Sequence, residues 1–308
     1  DTAVLLKQMI DAVKQICHCA KVDLVAHSMG GLVARQYIQS AAYQHDVDQL
    51  IFLGTPHLGA PKAYLMWEAG EVGPTTDIIS TIMEVILSQE AHEKGYTDLF
   101  GYVQGAPITS LRELLPVYDY IFDGPQLRNY PNGYPTNNFL ENLRAGEAVA
   151  INSGVKISNI VGQTGLDTSV VGITAISNTS TQKWAHGMPV GFFNLTGDHG
   201  LVKGAGDGTV PYSSAAAVDP HPIISVACHL SLPSIETDSV FEILKGSEPG
   251  VPAVTHDICS ARVLIFQIRS PADFVVISPT GKRVGKDFST SLEVNEIPAS
   301  FYSGFSGA

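Results

Sequence analysis

V-D-L-V-A-H-S-M-G-G, Val22 to Gly31, places an apolar run, one hydroxyl and a glycine pair side by side. The run from Val22 to Ala26 predicts a short strand of the kind buried on both faces of a parallel sheet. Ser28 falls where the chain must turn, and Gly31 to Ile38 (G-L-V-A-R-Q-Y-I) reads as a helix. Ala26, Gly30 and Gly31 bracket Ser28 with small side chains, which lets strand and helix approach each other across a sharp, strained turn. That geometry lifts the Ser28 hydroxyl clear of the sheet. It also aims the backbone N–H of Met29, at the helix N-terminus, toward any negative charge that develops there, making Met29 the expected oxyanion donor. A serine before two glycines also reads, more plainly, as a helix cap.

The flanking sequence supports a strand, turn and helix. Leu6, Met9, Ile10, Val13, Ile16 and Cys17 recur at helical spacing between Ala3 and Cys17, with Lys7, Asp11 and Lys14 between them. Gln49 to Gly54 (Q-L-I-F-L-G) supplies a second apolar strand after the helix, completing a βαβ unit and hence a parallel sheet. At A-H-S-M-G the chain resembles the α/β-hydrolase superfamily, whose nucleophile elbow is G-x-S-x-G, with alanine here in place of the first glycine. T-P-H-L-G-A-P, Thr55 to Pro61, is similar to a turn that lipase-like members place after the neighbouring strand. The resemblance puts the base on a later loop, so His57 is expected to be structural.

Two further stretches extend the resemblance to the lipase, phospholipase and lecithin:cholesterol acyltransferase branch. G-A-G-D-G-T-V-P, Gly204 to Pro211, resembles that branch's G-D-G-T-V-P loop, which implies that Asp207 orients a histidine; a bare Asx turn is the other reading. Pro222 to Ala227 (P-I-I-S-V-A) predicts the last parallel strand and runs into Cys228 and His229, at the carboxyl edge where the base is expected. His186, His199 and His221 suit turn or surface roles. A calcium site using Asp198 and Asp207 lacks a ligand series, so neither a metal nor a cofactor is implied.

Between residues 63 and 150 the composition changes. Thr75 to Gln89 predicts a helix with Ile78, Ile79, Ile82, Met83, Val85 and Ile86 on a broad apolar face, followed by loops rich in proline and tyrosine. An insertion of this kind, with S-L-R-E-L-L-P at Ser110 to Pro116, looks like the lid of lipase relatives and implies contact with a lipid interface; a plain core helix is the alternative. Val155 to Gln163 returns to strand pattern, Thr168 to Thr181 suggests a hairpin excursion, and Asp238 to Lys245 a closing helix.

With 44% hydrophobic residues and 29 glycines in 308, the chain is globular. A net charge of −12, without any Lys/Arg cluster, argues against nucleic acid and against docking on anionic lipid, while leaving neutral lipid or small acyl esters open as substrates. No apolar run reaches membrane-spanning length, and no signal peptide opens the sequence. Cys17, Cys19, Cys228 and Cys259 fit neither a zinc site nor a disulfide framework and are expected as small buried apolar residues. Arg262 to Ile268 and Phe274 to Ile277 read as strands, with a turn at Ser278 to Gly281.

The expected architecture is an α/β-hydrolase domain over 1–248, its lid insertion at 63–150, and a β-rich, sandwich-like module over 258–308. Because the nucleophile follows a single helix, the resemblance implies that the N-terminal strands and the second oxyanion donor are missing, and that the β module is cut short. The β module suggests export. The resemblance implies a serine ester hydrolase with Ser28 as nucleophile, His229 as base and Asp207 as its orienter. An acyltransferase using the same residues and a binding or adhesion protein with a degenerate site are the alternatives.

Overall fold

The computed structural model describes residues 2–73, 78–105, 109–176, 182–255, 257, 259, 273–298, 300 and 302, with the side chains of 78–83, 85, 86 and 109 outside that description. The chain divides into two units, Asp1–Cys259 and Ser260–Ala308. The first begins with α1 (Thr2–Cys17), β1 (Val22–His27), α2 (Met29–Gln39) and β2 (Val47–Leu53), the βαβ unit that the apolar spacing demands. The insertion follows as α3 (Lys62–Ala69), α4 (Ile78–Glu93), α5 (Leu99–Gly105), α6 (Thr109–Glu113), β3 (Ile121–Asp123), β4 (Gln126–Leu127), α7 (Asn138–Ala145) and α8 (Glu147–Ile151). The chain then runs through β5 (Lys156–Gly162), β6 (Gly165–Ile176), β7 (Met188–Pro189), β8 (Leu201–Gly206), α9 (Tyr212–Ala215), β9 (Ile223–Ser225), α10 (Leu232–Ile235) and α11 (Thr237–Lys245).

The main sheet has the order β1-β2-β5-β9, parallel throughout, with His27 opposite Leu53, Leu53 opposite Ile160 and Ile160 opposite Ile223. Alternation along β2 builds two cores at once. Leu50 and Phe52 face Ile10, Ala34, Tyr37 and Ile38 on one side, while Ile51 and Leu53 face Ile160, Ala227 and Leu232 on the other. So β2 is covered on both faces. β1, expected in that place, lies at the sheet edge with Val25 46% exposed. An apolar run describes what a strand prefers to bury and is silent about whether a neighbour stands beyond it.

Two further expectations are corrected for a related reason. α1 buries Ala3 and Ile10, but Met9, Val13 and Ile16 are exposed, so its apolar spacing is divided between core and solvent. β6 is the centre of a second sheet rather than a hairpin excursion, pairing parallel with β3 and antiparallel with β7 and β8. Its core joins Tyr64, Leu65, Leu115, Tyr120 and Ile121 of the insertion to Ile173 and Trp184, which follow it in the chain. The Tyr134 hydroxyl fastens that core by accepting the N–H groups of Tyr120 (3.2 Å) and Ile121 (3.1 Å) and donating to the Arg128 carbonyl (2.6 Å). The lid-face side chains of Ile78, Ile79, Ile82, Met83, Val85 and Ile86 lie outside the described residues.

The cysteines are paired, Cys17 with Cys19 and Cys228 with Cys259, against the expectation of free apolar residues. Pairing across 31 residues is set by which loops the fold brings together, and spacing carries no trace of it. Among the described residues no helix is long and apolar enough to cross a membrane.

The described part of the second unit is an antiparallel sheet of three strands, β10 (Val275–Ile277), β11 (Arg283–Asp287) and β12 (Leu292–Asn295). The expected turn closes with the Gly281 N–H on the Ser278 carbonyl at 2.9 Å. The strand expected over Arg262 to Ile268 lies outside the described residues.

Gly31 shows how tightly α2 sits on β2, since a Cβ there would overlap Thr55 Oγ1 and come within 2.9 Å of Phe52 Cδ1, whereas at Gly30 it would meet nothing within 4 Å. Gly31→Ala should therefore cost about 1–3 kcal/mol of stability by overpacking, while Gly30→Ala should be neutral or mildly stabilising. Urea unfolding of the two variants checks the contrast.

Candidate active site

Ser28 extends the β1 ladder by one bond, its N–H donating to the Leu53 carbonyl at 2.9 Å, and then leaves the strand with φ 54° and ψ −130°. That left-handed backbone is costly for a non-glycine residue and persists only where its surroundings over-determine it. Here the ladder holds one side and α2 the other, with the Gly31 N–H on the Ser28 carbonyl at 3.0 Å. Met29 is the first residue of α2, so its N–H belongs to the turn whose donors have no partner inside the helix. The Met29 side chain packs with the cluster of Leu32, Val117 and Leu140, tying the helix start to the insertion.

Asp207 sits in the glycine loop after β8 and is 2% exposed. One carboxylate oxygen accepts the N–H groups of Thr209 (2.9 Å) and Val210 (2.7 Å); the other is 2.7 Å from His229 Nδ1. One oxygen thus closes a turn within the loop, and the other faces the His229 ring. His229 follows β9, with its N–H on the Asp207 carbonyl at 2.9 Å and its Nε2 at 2.8 Å from Ser28 Oγ. Because the carboxylate only accepts, a neutral His229 carries its proton on Nδ1 and presents Nε2 as the acceptor for the Ser28 hydroxyl. The structure therefore brings Ser28, Asp207 and His229 together, with Met29 at the helix start beside them.

Three features of this site were not singled out from the sequence. A Cβ on Gly54 would lie 3.1 Å from Asp207 Oδ2 and 3.3 Å from His229 Nδ1; one on Gly162 would lie 2.7 Å from Asp207 Cβ. β2 and β5 thus run into glycines at the carboxyl edge and clear the space that the pair occupies. The signal was partly present, since the Gln49 to Gly54 pattern stops on a glycine and the Val155 to Gln163 pattern carries one next to its end. The Cys228–Cys259 disulfide adjoins His229, and Ser231 Oγ donates to Asp257 at 2.8 Å in the same loop. His27, one residue before Ser28, stacks its ring 4.7 Å from that of His229.

The other histidines weighed in the sequence have different surroundings. His57 is fully buried with Nδ1 accepting from Arg35 Nη1 at 3.2 Å, and its turn is tied down by Ser214, which accepts the Leu58 N–H and donates to the Gly59 carbonyl. Burial, reinforced by Arg35, holds His57 well below the ordinary histidine range, and burial lowers Arg35 to about 10. His186 pairs with Glu68 at 2.9 Å, His199 with the Phe192 carbonyl at 3.1 Å, and His221 is exposed. Asp198 accepts the Gly200 N–H at 3.0 Å.

Residues 1–66 match the model of the PGAP1-like alpha/beta domain, an α/β-hydrolase family; this segment carries α1, β1, the Ser28 turn, α2, β2 and the start of α3. Among solved structures the chain is similar to one in the crystal structure of a Tle4-Tli4 complex, at 16% identity and a TM-score of 0.34, covering 68% of this chain and 54% of that one. It is also similar to the lipase BlEst2 of Bacillus licheniformis in its mature form, at 14% identity and a TM-score of 0.39, covering 79% of this chain and 72% of that one. The chain thus spans about half the length of the first. No curated protein sequence matches it.

His57 generates a prediction about acid stability. Its depressed pKa keeps it neutral in the fold at pH values where an unfolded chain would protonate it, so the unfolded state binds the extra proton and stability falls with acidification. His27, also lowered by burial, acts in the same direction. Below about pH 6.5 the His57 contribution to the loss should approach about 1.4 kcal/mol per pH unit. Urea midpoints measured across that range should fall for the wild type and fall less steeply for His57→Gln.

Proposed function

We propose that this protein, an α/β hydrolase by fold, is a serine carboxylic-ester hydrolase that acts through an acyl-enzyme on Ser28. The observation that carries the reading is the unbroken relay from Ser28 Oγ through His229 to Asp207, at 2.8 and 2.7 Å. His229 Nε2 takes the hydroxyl proton as Ser28 Oγ attacks the acyl carbonyl. Asp207 holds the Nδ1–H tautomer and stabilises the imidazolium that results. The tetrahedral oxyanion forms next to the N-terminus of α2, where the Met29 N–H is the nearest donor by position in the chain. Return of the proton to the leaving alkoxide releases the alcohol, and water activated by His229 then hydrolyses the acyl-enzyme.

The substrate in this proposal is an acyl ester with an apolar chain. Val226 and Leu230, which flank the segment carrying His229, are exposed at 86% and 47% and offer apolar surface beside the base. The proposal includes the insertion segment that carries α4 as the cover that meets the acyl chain at a lipid interface. Export is the matching location, supported by the two disulfides, which persist in oxidising compartments.

A fluorophosphonate probe should label Ser28, and Ser28→Ala should lower kcat/KM on p-nitrophenyl esters by about 10⁴- to 10⁶-fold. Asp207→Asn and His229→Ala should be comparably severe. A substrate series of increasing chain length should favour the longer acyl groups. Labelling at another serine, or turnover retained by Ser28→Ala, overturns the reading.

A further inference from the structure

We infer that His27 is a positioning residue for this site, fixing the main chain of His229 through a hydrogen bond from its ring. The inference rests on the proposed role of Ser28 and His229 but concerns a residue that neither the relay nor the elbow requires. His27 ends β1, opposite Leu53 in the parallel ladder, so its backbone is anchored by the same strand pairing that holds Ser28. Its Nε2 lies 2.9 Å from the His229 carbonyl oxygen. A carbonyl only accepts, so that nitrogen carries the ring proton, and burial of the imidazole favours the neutral form with this single N–H.

The bond completes the fastening of His229. Its N–H is held by the Asp207 carbonyl at 2.9 Å, its Nδ1 by the Asp207 carboxylate at 2.7 Å, and its carbonyl by His27. The first two anchors come from one loop, and a loop can shift as a body. The third comes from the sheet edge that also carries Ser28, so it ties base and nucleophile to a common frame across 202 residues of sequence. The rings stack at 4.7 Å with a 40° tilt, which leaves packing as the competing explanation for a histidine here.

Two substitutions separate the explanations. His27→Phe keeps an aromatic ring beside His229 and removes the donor. His27→Gln removes the ring and keeps an amide N–H at the reach of Nε2. Both should be compared with wild type by melting temperature, by kcat and KM on a p-nitrophenyl ester, and by the downfield proton resonance of His229 Nδ1–H, which reads the bond to Asp207 without turnover. We expect His27→Phe to lose about 10- to 100-fold in kcat with KM changed less than about two-fold, and to shift or broaden the resonance, because small misplacements of a base are amplified in rate. His27→Gln should keep kcat within about three-fold of wild type and retain the resonance. The reverse pattern, with Phe active and Gln impaired, assigns His27 to packing and overturns the inference. So does an unchanged resonance in His27→Phe, or equal losses in both variants that follow their melting temperatures. If the wild type neither turns over esters nor takes the fluorophosphonate label, the hydrolase reading fails, and the resonance still decides whether His27 positions His229.

Discussion

The hydrogen bond from the Ser28 N–H to the Leu53 carbonyl continues the β1–β2 ladder one residue beyond the strand, and the site is arranged around that point. Without it a serine at φ 54° has no reason to stay there, because the strain is local and its compensation is not. β2 supplies that compensation by being the buried strand, with Leu50, Ile51, Phe52 and Leu53 all in the core. A parallel sheet gathers the ends of its strands at one edge. The same ladder that holds Ser28 therefore delivers Gly54, Gly162 and, one loop further, His229 to its side.

Burial makes the polar part of this edge selective. An Asp207 carboxylate almost removed from water must find its donors in the protein, and it has three: two main-chain N–H groups of its own loop and the ring of His229. The loop donors fix where the carboxylate points independently of the histidine. The glycines beneath it are a steric condition for the same arrangement, since a side chain on Gly54 or Gly162 would occupy the space of the pair. His27 adds an anchor of a different origin, from the sheet rather than the loop, and joins the two halves of the relay.

The insertion contributes to this frame through packing and not through the relay. Val117, Leu140 and Leu143 close around Leu32 and the Met29 side chain, so the start of α2 is held from the insertion side. Tyr64, Tyr120 and Tyr134 then connect it to the second sheet. The surface beyond β1 is of another kind. Val4, Leu5, Met9, Val13 and Ile16 of α1, together with Val25, leave apolar side chains in solvent around the sheet edge.

What the sequence determined by itself was local. The strand, turn and helix around Ser28, the glycine loop at Asp207 and the position of His229 after a strand depend on backbone freedom, small side chains and alternation over a few residues, and those constraints are written in neighbouring letters. His57 could be set aside because the resemblance places the base on a later loop, and in the structure Arg35 occupies its Nδ1. Tertiary structure alone decided the rest. It left Val25 of β1 half exposed, put β6 in a second sheet, paired Cys228 with Cys259 and set the His27 ring against the carbonyl of His229. Each of these is a contact between segments far apart in the chain, and its free energy depends on which partner the fold brings near; no pattern within one segment specifies that partner.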